Sequence, residues 1–92
     1  MDQPRIAAVE ALPGTQSVRI TWIDGTQDVV DLAEPIAKFR AFRPIRDPQA
    51  FATVKVVAWG WAIGWGDEEE PEVGYPADRL WQRAREQRSA AA

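Results

Sequence analysis

Apolar and polar residues alternate along Val18-Arg19-Ile20-Thr21-Trp22, the two-residue period of a strand with one face buried. Asp24-Gly25 follows at once. That dipeptide accepts the positive φ of a type I′ turn, so Gln27–Asp31, with Val29 and Val30, is predicted to return as the second arm of a hairpin. Upstream, residues 5–12 read as a further strand, although Ala7, Ala8 and Ala11 are poor strand formers. Pro13-Gly14 supplies the turn between them.

The period then changes. Ile36, Ala37 and Phe39 fall at helical spacing behind Pro35, which fits a first helical turn where its missing N–H is not needed. Asp31 or Glu34 can cap this helix, which is predicted to run to about Phe42 and end before Pro44. Asp47-Pro48-Gln49-Ala50-Phe51 reads as a capped single turn. The β-branched and apolar run Thr53–Trp59 predicts a strand, Gly60 breaks it, and Ala62–Trp65 continues as the last strand. An acidic loop, residues 66–71, precedes a helix opened by Pro76-Ala77-Asp78, with Leu80, Trp81 and Ala84 on one face and residues 89–92 as a frayed tail. The predicted order is β-β-β-α-β-β-α. This is an α+β fold with a mainly antiparallel sheet, a short middle helix and a C-terminal helix. The later strand pair joins the first sheet or packs on it. The whole of residues 1–92 reads as one domain with an ordered core over 5–86.

Composition narrows the functions. Hydrophobic residues make up 46%, enough for one core, and five of them are Trp. Eleven Lys and Arg against fourteen Asp and Glu give a net charge of −3, which supplies no general field for a phosphate backbone or an anionic membrane surface. There is no Cys and no His. Disulfides are thereby excluded, no Ser–His–Asp or Cys–His arrangement can form, and a tetrahedral zinc site is disfavoured. The first residues carry no basic segment followed by an apolar run, and no stretch approaches a membrane span, so a bacterial cytoplasmic location is expected. The glycines at 14, 25, 60, 64, 66 and 74 form neither a dinucleotide fingerprint nor a phosphate-binding loop.

Taken in order, Val18 to Gly25, Val30-Asp31-Leu32, Phe42-Arg43-Pro44-Ile45-Arg46-Asp47, Phe51, Val54-Lys55-Val56, Ile63-Gly64-Trp65 and Ala77-Asp78-Arg79-Leu80-Trp81 resemble a small bacterial family known only as domain of unknown function 2442. The resemblance covers residues 5–84. It implies a small α+β domain without established activity. Some members of that family are fused to a helix-turn-helix segment, and some are encoded beside other small proteins in arrangements similar to toxin–antitoxin pairs. The chain is expected to depart from the fused pattern, with no DNA-reading module after Ala92, and its Trp59-Gly60-Trp61 cluster and acidic loop look richer than the family pattern.

Three features offer candidate chemistry. The carboxylates Asp24, Asp28, Asp31, Asp47 and Asp67 to Glu70 could supply an acid–base pair or a divalent-cation site. Turn, cap and solvated-loop roles explain each of them better, and the spacing of a calcium loop is absent. Trp59, Trp61 and Trp65 share parity with Ile63, so on a continuous strand they face one side, opposite the small residues 58, 60, 62, 64 and 66. A turn at Gly60 would break that register. These rings either build the core or form a flat docking surface, with Trp61, beside the bend, the foremost candidate for exposure. Arg79, Arg83, Arg85 and Arg88 make the last helix basic, either as a solvated face or as a contact for an acidic partner or nucleic acid.

The expectation is therefore a tryptophan-rich, non-catalytic protein-binding module with no cofactor or metal. Its candidate contacts are Trp59, Trp61, Trp65, Arg79 and Arg83. It would bind another protein, or a second copy of itself through a strand edge, with direct nucleic-acid and membrane contact disfavoured. The alternative is an antitoxin-like or DNA-associated regulatory accessory, and after it a small carboxylate-dependent enzyme.

Overall fold

The computed structural model describes residues 4–66 and 71–91. Its first sheet is an antiparallel meander of β1 (Ile6–Ala11), β2 (Ser17–Trp22) and β3 (Gln27–Asp31). The alternation read in β2 holds: Val18, Ile20 and Trp22 are buried and Arg19 is exposed. The β2–β3 turn is a hairpin, but of a different type from the one predicted. Only Gly25 takes positive φ, at +90°, while Asp24 does not. Trp22 N–H donates to Thr26 O at 2.8 Å and Gly25 N–H to Trp22 O at 2.9 Å, which closes a loop of three residues rather than two.

The middle of the chain is short and irregular. α1 (Ala33–Lys38) stops earlier than predicted, because Phe39 turns to extended backbone. A 3-10 segment, Arg40–Arg46, follows and accommodates Pro44. Asp31 Oδ1 accepts the Ala33 N–H at 2.8 Å. Arg46 donates to the carbonyls of Ile36 and Ala37, satisfying groups that the end of α1 leaves open. α2 (Pro48–Phe51) is the capped single turn expected, with Asp47 Oδ1 accepting the Gln49 N–H at 3.0 Å.

The second sheet has the order β4-β5-β6, formed by β4 (Lys55–Val57), β5 (Ala62–Gly66) and β6 (Pro71–Pro76). β6 is an addition to the predicted order. It pairs Val73 with Trp65 and Tyr75 with Ile63. Proline at both ends of a strand is compatible with its edge position. The acidic residues 67–70 lie outside the described residues. α3 (Ala77–Ala91) buries Ala77, Leu80 and Ala84 and remains helical over residues 89–91, which were predicted to fray. No helix among the described residues is long and apolar enough to cross a membrane.

The two sheets share one core. Trp22 from the first and Trp65 from the second are its largest fully buried side chains, joined by Ile20, Leu32, Ile36, Ile45, Ile63 and Leu80. Each buried indole N–H has a partner: Trp22 Nε1 donates to Asp28 Oδ2 at 2.8 Å and Trp65 Nε1 to Phe51 O at 2.9 Å. Such pairing removes the penalty of a polar group left alone in an apolar interior.

Candidate binding site at the Trp59–Gly60 hairpin tip

β4 and β5 pair Val57 with Ala62, so residues 58–61 close the hairpin between them. Trp61 N–H donates to Ala58 O at 3.0 Å. Between those residues Trp59 has φ 54° and ψ 32°, and Gly60 has φ 95°. These are the dihedrals of a type I′ turn, whose first central position favours Asn, Asp or Gly. Here it holds Trp. Ala58 also has positive φ, at 52°. Each non-glycine residue in the left-handed region costs about 1–2 kcal/mol.

Gly60 is required twice over. Its φ is unfavourable to any L side chain, and an added Cβ would lie 2.6 Å from Ile6 O and 2.9 Å from Arg5 Cγ. The turn is pressed against the start of β1. The chain reversal at residues 58–61 breaks the single-strand register in which Trp59, Trp61 and Trp65 would share a face.

The three candidate tryptophans consequently separate. Trp65 is 2% exposed, stacked on Phe51 with ring centroids 5.9 Å apart, and is a core residue rather than a partner contact. This corrects the expectation for Trp65: it lies within β5, facing the core, whereas the turn throws its two companions outward. Trp59 is 86% exposed and Trp61 43%. The most exposed indole is therefore Trp59 and not Trp61.

Arg5 organises this tip. Its Nε donates to Trp59 O at 2.6 Å, and its guanidinium carbon lies 5.4 Å from the Trp61 ring centroid, a cation–π distance. Ile23 N–H donates to Arg5 O at 3.0 Å, extending the ladder one step beyond the Ile6–Trp22 pair. Ile6 and Trp22 point into the core, so Arg5 and Ile23 lie together on the outer face. Ile23 is 58% exposed. Trp61 O accepts the Ala77 N–H at 2.7 Å, which ties the tip to the beginning of α3. Arg5, Trp59 and Trp61 thus form one outer patch, with Ile23 beside Arg5, assembled from the residue before β1, the β2–β3 loop and the β4–β5 turn. Arg5 and Ile23 were not singled out by sequence reasoning. Only the strand register brings them to the tryptophans.

The arginines of α3 divide as well. Arg83 Nε donates to Asp31 O at 2.8 Å, and Arg88 Nε lies 3.3 Å from Asp28 Oδ1. Both are engaged along the edge of β3, so Arg83 is a clasp within the fold rather than a freely presented contact, and the expectation for it is corrected accordingly. Arg85 lies over Trp81, 4.5 Å from the ring centroid, and Arg79 is exposed on the first turn.

Among the described residues, Asp31, Glu34 and Glu86 line one shallow pocket of about 450 Å³ together with Arg83, while Asp24, Asp28 and Asp47 lie apart with local hydrogen-bond roles. Asp24 accepts from Thr26 Oγ1 and Thr26 N, and these bonds hold its pKa below the ordinary aspartate value. Asp28, Asp31 and Asp47 serve an indole, a helix start and a capped turn. No group of three potential metal ligands exists among the described residues. A cleft of about 650 Å³ lies between the β1–β2 turn and α2, over Leu12, Pro13, Ile45 and Phe51. Its rim carries Arg46, already bonded to α1, and no carboxylate.

No protein-family model matches the chain, and no curated protein matches it. A solved structure from Nitrosomonas europaea, described as a "putative DNA binding protein", aligns with 97% of this chain at a TM-score of 0.78 and 33% sequence identity. The present chain covers 56% of that protein's chain, so what is shared is this α+β domain and not the whole of the neighbour.

Proposed function

We propose that this domain is a non-catalytic binding module that recognises another protein through the patch of Trp59, Trp61, Arg5 and Ile23. One observation carries the reading: a type I′ turn holds Trp, in the left-handed region, with its indole in water. An ordinary hairpin would place Asn or Gly there at lower cost. Strain retained at an exposed side chain points to use of that side chain. Trp and Arg, adjacent here, are the residues most enriched among interface hot spots.

The test is a photo-crosslinking amino acid at position 59, introduced into the intact chain in its host. A discrete adduct that disappears with Trp61→Ala or Arg5→Gln is expected. A smear, or an adduct indifferent to both changes, sinks the proposal.

The likeness to the Nitrosomonas europaea protein favours a second reading, a DNA-associated regulatory accessory. Arg79 and Arg85 are the α3 arginines available for phosphates in that case. Gel retardation of DNA from upstream of its own gene at low salt checks it, with Arg79→Glu and Arg85→Glu abolishing any shift. Absence of a shift removes direct DNA binding.

A further inference from the structure

We infer that the segment received by the hairpin tip carries a carboxylate, which pairs with Arg5, next to an apolar side chain that packs on Trp59. This rests on the protein-binding reading and names the chemistry of the partner. Arg5 is half-buried, and among the described residues no carboxylate pairs with it; the ion pairs found there are Arg19–Glu10 and Arg88–Asp28. One of its five N–H donors is given to Trp59 O, and Trp61 lies at cation–π distance. The remaining donors form a planar fork held in place before any ligand arrives. A guanidinium partly stripped of water by an indole attracts an anion more strongly than one in open solvent. The fork matches the two oxygens of a carboxylate.

The surrounding charge selects a peptide over a polyanion. Asp24 follows Ile23, and Asp78 and Arg79 follow Ala77, which anchors Trp61. The two arginines of these segments, Arg5 and Arg79, are thus matched in number by Asp24 and Asp78. A nucleic-acid backbone, with a charge at each nucleotide, meets no net positive field at this patch. A short segment with a single Asp or Glu meets one oriented cation beside two aromatic surfaces. Trp59 offers those apolar faces without rearrangement.

Random peptides displayed on phage and selected on the intact chain provide the test, with titration of synthetic copies of the enriched sequences. The expected result is a recurring Asp or Glu beside an apolar residue. Affinity should be lost with Trp59→Ala and weakened about ten- to hundredfold with Arg5→Gln, the range for a hydrogen bond to a charged group. Replacing the peptide's acid by its amide should weaken binding of the unaltered protein similarly, and adding that change to Arg5→Gln should cost little more. The peptide change needs no protein variant, so a folding defect in Arg5→Gln cannot imitate the result. Peptides that require Trp59 but carry no acid, and ignore Arg5→Gln, overturn this inference and leave the binding reading standing. Recovery of no Trp59-dependent peptide counts against both. Tighter, Trp59-dependent binding of a twenty-residue oligothymidylate than of any peptide, on the order of tenfold or more, overturns the choice of a peptide partner.

Discussion

Gln87 meets Asp31 at both of the strand residue's main-chain groups. Asp31 N–H donates to Gln87 Oε1 at 3.0 Å, and Gln87 Nε2 donates back to Asp31 O at 2.9 Å. The carboxamide stands where the backbone of a fourth strand would stand. Arg83 adds a second donor to the same carbonyl, and Arg88 pairs with Asp28 three residues earlier. β3 is an edge strand of the first sheet, and α3 covers its end with side chains that imitate a ladder.

Replacing Gln87 and Arg83 together by Ala should expose that end of β3. The expected loss of stability is about 1–3 kcal/mol, the range for a few partly exposed hydrogen bonds. The freed edge should also pair with a second copy, so light scattering across a concentration series should show self-association absent from the parent. A variant that loses stability and stays monomeric would show that α3 buttresses β3 without guarding it.

Trp59→Asn should raise stability while removing binding. Asn tolerates the left-handed region, and the indole it replaces is almost wholly in water. A gain of about 0.5–1 kcal/mol in urea unfolding is expected. An unchanged or lower midpoint would mean that the turn stores no strain worth relieving.

Gly60→Ala should do the opposite. Its Cβ would meet Ile6 O, a backbone atom within the β1–β2 ladder that has little freedom to retreat. Together with the positive φ, this predicts a loss of about 2–4 kcal/mol, read by thermal or urea unfolding. A cost below about 1 kcal/mol would show that β1 and the tip are less closely pressed than the distances state.

Asp24 provides a pH signature. Thr26 Oγ1 and Thr26 N–H donate to its carboxylate and lower its pKa in the folded chain. The stabilisation is therefore present above the unfolded pKa and is lost as pH falls through the folded value. Thr26→Val removes the larger of the two bonds, and Asp24 should then titrate closer to an ordinary aspartate in an NMR series. No upward movement would show that the hydroxyl does not set the shift.

The β2–β3 hairpin, the Asp47 cap and the apolar face of α3 were legible in the sequence, because each is set by residues within a few positions of one another. β6 was not, although Val73 and Tyr75 are two apart. Pro71, Gly74 and Pro76 all argue against a strand locally, and the element forms because β5 offers a partner. α1 ends at Lys38 although the helical spacing runs on to Phe39, since periodicity does not report the dihedral at which a helix stops. At the candidate site, Gly60 signalled a turn, but Trp59 carries no propensity for the left-handed position it occupies. Arg5 and Ile23 join the tryptophans through the register of distant strands, which no local pattern records.

The direction of Trp59 is fixed by the main chain at residues 58–60 and by Arg5 at its carbonyl, and scarcely by packing of its own ring. On the proposed binding role, recognition through Trp59 would be adjustable separately from folding. Any side chain unbranched at Cβ can be carried at the tip with the core undisturbed. Copies of this domain serving different partners would therefore be expected to diverge first at residue 59, with Gly60 left in place beneath it.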